Sequence, residues 1–317
     1  MKIKKFYMAA LAAAVLAGCS NDDEVAPTMP DMADTPISVN ASVNNLVVSR
    51  AGYETNDDLA EFVFNITQSN SKYNWSGVVM KKASGAWSAS NLSAGDNLLW
   101  SSSTPNATVT AYTTDTESNT ITATNADFTG QAIDVNLPTD QSTIDNVKKA
   151  DRLYCFKEGV TPGANGVIDL DFSHAMSKLE ITYSYGTELE GTTHSLTSCT
   201  IGELAYKGNF KVETGGKLTV TTETGNSANM TACIDADNNK AEVILLPQAI
   251  TTTPTATFKV TIDGTERIFT CSVNVAELKS NTRYTMNVTI GRDKVEVGDV
   301  DITPWGDPSD LGKIETE

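Results

Sequence analysis

The chain has 317 residues, 40% hydrophobic and 20% charged, a balance that supports packed cores and excludes a wholly disordered chain. Lys and Arg number 23 against 40 Asp and Glu, a formal charge of −17. A field of that sign repels nucleic-acid phosphates and anionic membrane surfaces, and no basic block offsets it, so nucleic acid is excluded as a partner.

The chain starts with a positive "MKIKK", a short apolar "FYMAALAAAVLA" and small residues before Cys19. This order reads as a signal peptide over residues 1–18, its apolar run too short for a lasting membrane helix. "LAGC" resembles a bacterial lipobox, which implies acylation of Cys19, cleavage before it and a firm outer-membrane anchor. The acidic "SNDDE" after it resembles a surface-export signal. Residues 19–36 are rich in Asp, Pro and Met without periodicity and read as a tether.

"TPISVNASVNNLVVSR" then alternates, with Ile37, Val39, Ala41 and Val43 on one apolar face of a strand expected over Ile37–Val48. Arg50 follows, the one basic residue between Lys5 and Lys72. Period two continues in "EFVFNIT" (Phe62, Phe64, Ile66) and in "NATVTAYTTD" around Val109 and Tyr112. "STIDNVKKADR" holds a helical turn or two. "KLEITYSY" aligns Leu179, Ile181, Tyr183 and Tyr185, with Lys178, Glu180, Thr182 and Ser184 opposite. "VILLP" is apolar throughout, as in a strand covered on both faces. "KVTIDGTERIF" predicts a hairpin, because Asp263-Gly264 suits the positive φ angles of a type I′ turn. "RYTMNVTI" aligns Tyr284, Met286, Val288 and Ile290, and "KVEVGDVDITPW" sets Val295, Val297, Val300 and Ile302 in alternating pairs across a Gly298-Asp299 break.

Many short Thr-rich strands between Gly, Asn and Asp turns argue an all-β protein of β-sandwiches. The Pro/Gly/Asn cluster "EGVTPGANG" suggests a boundary between an N-terminal sandwich, 37–163, and a C-terminal one, 164–317.

The signatures of enzymes, cofactor sites and metal sites are missing. There are two His, His174 and His194, and no H-E-x-x-H, G-x-S-x-G or Gly-rich phosphate loop. No Cys or carboxylate constellation frames His174 in sequence, so it reads as a hydrogen-bonded structural residue. "DADNNKAE" begins like a calcium loop at Asp235, Asp237 and Asn239, but Lys240 replaces the required Gly and Leu246 the terminal Glu, which leaves a hairpin turn. Cys155, Cys199, Cys233 and Cys271 are widely spaced with no C-x-x-C; buried free thiols are preferred, and the three possible disulfide pairings stay open. The expectation is a protein without catalytic residues, metal or cofactor.

"GAWSAS" followed by "LLWSSSTPNATVTAYTTD", "DRLYC", "IDLDFSHAMSKLEI", "LKSNTRYTMNVTIG" and "ITPW" together, in order and spacing, resemble the fimbrillins, subunits of type V pili, and their cell-adhesion lipoprotein relatives. Arg152 in "DRLYC" departs from the family's recurrent Leu. The resemblance implies two tandem transthyretin-like (Greek-key) β-sandwich domains. It also implies polymerisation: an Arg-specific protease cuts Arg50-Ala51 and removes segment 37–50. A C-terminal donor strand, within 294–305 here, then fills the groove of the next subunit. The implied partners are other fimbrial subunits, the outer membrane through the lipid on Cys19, that protease, and a host protein or glycan. The alternative is a surface lipoprotein that stays anchored and stacks sugars on Trp75, Trp87, Trp100 and Trp305; a hydrolase is a distant third.

Overall fold

The computed structural model describes residues 32–43, 59–102, 107–114, 121–127, 130, 132–213 and 215–305. The signal peptide, Cys19, most of the tether and the Arg50-Ala51 bond lie outside the described residues. The described residues are mostly β-strands, packed around two hydrophobic cores.

The first core is enclosed by β1 (Ser38–Val43), β2 (Glu61–Thr67), β3 (Trp75–Ala83), β4 (Ala86–Ala89) and β5 (Ala107–Tyr112). After β6 (Ile133–Asn136) and a seven-residue helix α1 (Ile144–Ala150), the chain returns to it with β7 (Leu153–Val160) and β8 (Val167–His174). The sheet runs β1-β8-β7-β5-β2-β3-β4, and its two edge strands, β1 and β4, approach each other, so the sheet curls around its apolar contents. The boundary expected between 163 and 164 falls inside the β7–β8 connection, and β8 stays in the first sheet. The turn residues there change the direction of the chain without ending the domain.

The second core starts at β9 (Ser177–Tyr185) and continues through β10 (His194–Ala205), β11 (Lys207–Val212), β12 (Leu218–Thr222), β13 (Ser227–Thr231) and β14 (Cys233–Asp235). Then come β15 (Lys240–Leu245), β16 (Gln248–Ala249), β17 (Thr255–Ile262), β18 (Thr265–Ser272), β19 (Glu277–Leu278), β20 (Thr282–Ile290) and β21 (Val295–Pro304). A five-stranded sheet β14-β15-β9-β20-β21 and a four-stranded sheet β13-β10-β17-β18 supply most of this core. Strand β6, from the N-terminal part of the chain, joins the three-stranded sheet β12-β11-β6. Val63 and Tyr112, on the far face of the first sheet, also belong to the second core, where Tyr112 meets the edge of Phe210 at 6.2 Å. The two cores are therefore stitched together, not strung apart.

Local chemistry fixes several of these elements. Thr143 caps α1 by accepting from the Asn146 N–H, Asp145 sits in the first turn and Lys148 and Lys149 in the last, matching the helix dipole. The β17–β18 hairpin turns through Asp263 (φ 48°) and Gly264 (φ 78°), the expected type I′ pattern. Residues 236–239 form the β14–β15 hairpin connection, with Asn238 bonded back to Asp235 at the end of β14. Val243 to Leu246 are buried throughout, as the unbroken apolar run required.

Gly166 carries a φ of 75°, and a Cβ there would lie 2.6 Å from the Pro36 carbonyl oxygen and 3.2 Å from the Trp100 ring. Both the backbone conformation and the space demand glycine. Gly166→Ala is expected to destabilise the fold by about 1–3 kcal/mol through left-handed strain, seen as a lower urea midpoint with an unchanged slope.

Candidate functional site

Two strands placed at opposite ends of the chain frame the first candidate site. Strand β1 is the terminal strand of its sheet and bonds along one edge, parallel to β8. Its register puts Val39 beside Ile168, Ala41 beside Leu170 and Val43 beside Phe172. Ile37, Val39 and Val43 are buried, Ala41 is half-buried, and Ile168, Leu170 and Phe172 are buried opposite them. The four residues expected to form the apolar face do so. The described strand ends at Val43; the remainder of the expected strand, to Val48, lies outside the described residues.

Before β1 the chain is pinned to a second segment. Asp34 N–H donates to the Trp100 carbonyl, Trp100 N–H to Thr35 and Ile37 N–H to Leu98, each at 2.8–2.9 Å. Trp100 itself is fully buried, and its indole N–H donates to Gly166 at 2.9 Å. On the outer face the contacts are polar: Asn40 donates to Asp169 at 2.9 Å, and Ser42 and Lys157 both donate to Asp171. The Lys157 ammonium outweighs partial burial and, with the Ser42 hydroxyl, holds the Asp171 carboxyl below its usual range. Removing β1 would leave an apolar trench along β8 with a row of unpaired backbone groups at its edge.

Strand β21 presents the opposite situation. It closes the five-stranded sheet as an edge strand, antiparallel to β20. Val295, Val297, Val300 and Ile302 stand opposite Ile290, Val288, Met286 and Tyr284, so all four project to the core side of the sheet. The second core does not reach far enough to cover them: Ile302 is 61% exposed, Val297 37%, and Val295 and Val300 are half-buried. The register shift between Met286 and Val288 absorbs the Gly298-Asp299 break as a bulge, which keeps both apolar pairs on one face.

At the end of β21 lies a buried polar cluster that the sequence did not disclose. Lys178 and Glu180, on the face of β9 opposite its apolar residues, are 1% and 5% exposed, not open to solvent. Lys178 Nζ stands 3.2 Å from Glu242 of β15, and Lys240 Nζ 2.9 Å from Glu180. Glu180 and Glu242 face each other in register. Burial raises the Glu242 carboxyl, and nearby Glu180 adds to the effect against the opposing pull of Lys178. Burial also raises Glu180, but Lys240, Lys178 and Arg283 outweigh it and leave that carboxyl below its usual range.

Next to this cluster His174 Nδ1 lies 2.9 Å from Asp151 at the end of α1, both fully buried. The histidine is hydrogen-bonded, as expected, but its partner stands 23 positions earlier in the chain, a separation that no local motif reveals. The Trp305 indole stacks on His174, centroids 3.8 Å apart and planes 3° from parallel, and Lys178 Nζ is 5.9 Å from the Trp305 ring.

The four tryptophans offered for sugar stacking point inward: Trp75, Trp100 and Trp305 are buried, and Trp87 is half-buried against Phe62 at 4.6 Å. A surface depression of about 480 Å³ near Trp75 is lined by Asp34, Tyr73, Asp96 and Asn125 among others. Its polar groups are largely engaged with each other, since Tyr73 donates to Asp34 at 2.7 Å and Asn125 to the Lys72 and Asn74 carbonyls. Cys155, Cys199, Cys233 and Cys271 are free thiols; burial pushes Cys155 and Cys271 up to about 11 and Cys199 to about 12, and raises half-buried Cys233 as well, which disfavours the thiolate in each.

The family described as fimbrillin-like matches residues 47–305 of the chain. A candidate fimbrium subunit, Fim1C of Bacteroides uniformis, is 27% identical over 327 aligned residues, covering 99% of this chain and all of that one. Among solved structures, a cell adhesion protein of Bacteroides ovatus aligns with a TM-score of 0.60 at 19% identity, over 86% of this chain and 98% of its own. One from Bacteroides uniformis gives 0.56 at 20% identity, over 85% and 97%. At these identities the solved structures establish the fold.

Proposed function

We propose, from the premise that this chain belongs to the fimbrillin-like family, that it is a structural and adhesive subunit of a surface fimbria with no catalytic role. In this reading it leaves the cell as an outer-membrane lipoprotein acylated at Cys19. An Arg-specific protease cuts Arg50-Ala51, β1 departs with the lipid, and the C-terminal strand of a neighbouring subunit enters the groove along β8. Groove and donor are different surfaces, so the contact is head-to-tail and builds an open filament.

The observation that carries the reading is one pairing. The first described strand is an edge strand whose apolar face is largely buried, and the last is an edge strand whose alternating apolar face is only partly covered. Each aliphatic side chain seated in the vacated groove contributes about 1.5–3 kcal/mol, an upper range because a free chain already hides some surface. Ladder hydrogen bonds add specificity of register.

The reading is tested on protein sheared from the cell surface. Ala51 is the expected first residue, and SDS-resistant ladders are expected on gels. A chain truncated after Gly291 should give monomers only. Ladders from the truncated chain, or a surface form that still begins at lipidated Cys19, would overturn it. The anchored glycan-binding alternative is not favoured by any comparable observation, because its tryptophans are turned into the cores.

A further inference from the structure

The C-terminal strand is held unevenly. Along β21 the side chains that face the core side are half-buried or exposed, so apolar packing contributes little there. At its end the packing is dense: Trp305 is 6% exposed and lies flat on His174, with Lys178 beneath its face. A flat stack and a cation over an indole each add attraction beyond area alone. The floor of this slot is braced by buried polar contacts, His174 with Asp151 and Lys178 with Glu242.

The backbone reinforces the ring. Trp305 N–H donates to the Asn281 carbonyl at 2.8 Å, and Asn281 N–H donates to the Met176 carbonyl at 3.0 Å. Asn281 holds a φ of 52°, a left-handed turn that asparagine tolerates better than most residues. Trp305 is thereby tied to the 174–177 crossover that carries the chain from the first sheet into the second.

We propose that Trp305 is a latch: docking of its indole in the His174–Lys178 slot keeps β21 on its own sheet, and the strand leaves only when the ring leaves. This rests on the donor-strand reading for its biological use, but the latch itself is a property of the isolated chain. An aromatic side chain is the ligand of the slot, supplied in cis until the strand is given up.

Hydrogen exchange of the full-length monomer, followed by mass spectrometry, tests it. In Trp305→Ala the amides of Val295–Thr303 should exchange at least tenfold faster, while those of Glu61–Thr67 and Ser38–Val43 keep their wild-type rates. Trp305→Phe should fall between, retaining a ring without the full indole face, and serves if the alanine variant does not fold. Wild-type exchange along β21 in the phenylalanine and alanine variants would overturn the latch, as would an equal rise in both sheets, which marks a general core residue. A separate polymerisation assay keeps the two ideas apart. Faster β21 exchange with no ladder from any variant would retain the latch and remove the donor strand; ladders that form faster in Trp305→Ala would support both.

Discussion

Lys178→Ala is expected to cost about 3–5 kcal/mol, the range for removing one partner of a buried ion pair. The reason is the charge left behind. Glu180 and Glu242 face each other on adjacent strands, both nearly inaccessible, and Lys178 is the cation that serves Glu242 directly at 3.2 Å. Without it, the facing carboxyls lose a close countercharge, which favours uptake of a proton by one of them or entry of water. The sign of the pH dependence follows. A carboxyl whose pKa is raised in the folded state binds more protons there than in the unfolded chain, so the stability of the variant should decline as pH rises above the ordinary carboxylate range. Replacing both partners, as in Lys178→Met with Glu242→Leu, should recover most of the loss, because two apolar groups of similar size need no compensation. Urea midpoints for wild type, single and double variants at two pH values decide it. A single variant within 1 kcal/mol of wild type would show that the cluster is solvated in solution.

Periodicity carried most of the strand map. Tyr284, Met286, Val288 and Ile290 alternate in the sequence and line the second core; Asp263-Gly264 marks its hairpin; the Gly298-Asp299 break becomes a bulge. What failed did so where neighbours in space are distant in the chain. The Pro/Gly cluster at 158–166 looks like a linker, yet β8 folds back beside β7 and only afterwards does the chain enter the second sheet. Lys178 and Glu180 occupy the polar side of an alternating strand, a pattern that ordinarily marks a wet face. Here that face is covered, and opposite charges from β15 make the burial tolerable. Trp305 is one of four aromatics that the sequence offers for sugar stacking; its stacking partner, His174, lies 131 positions earlier. Pairings of this kind depend on topology, which local pattern does not encode. Family resemblance agrees with the all-β class of the fold, which the period-two pattern already indicates.

Trp100→Ala is expected to be as damaging, about 3–5 kcal/mol, a large part of the stability of an ordinary domain. The indole has no exposed surface and packs in the first core against Gly166, so its loss leaves a cavity that a close-packed interior does not readily fill. The Gly166 carbonyl also loses its indole donor. The position matters beyond volume, because the backbone of Trp100 bonds to Asp34 and Thr35, the residues that lead into β1. The damage should therefore be directional: β1 is released from its sheet before the rest of the first core unfolds. Trp100→Phe, which keeps a ring but drops the hydrogen bond, should lose about 1–3 kcal/mol, the cost of an unsatisfied buried carbonyl. Thermal denaturation gives the magnitudes, and hydrogen exchange gives the direction, since the amides of Ser38–Val43 should exchange faster than those of Glu61–Thr67. Equal loss of stability with both strands exchanging alike would mean that Trp100 supports the core without holding the leading strand.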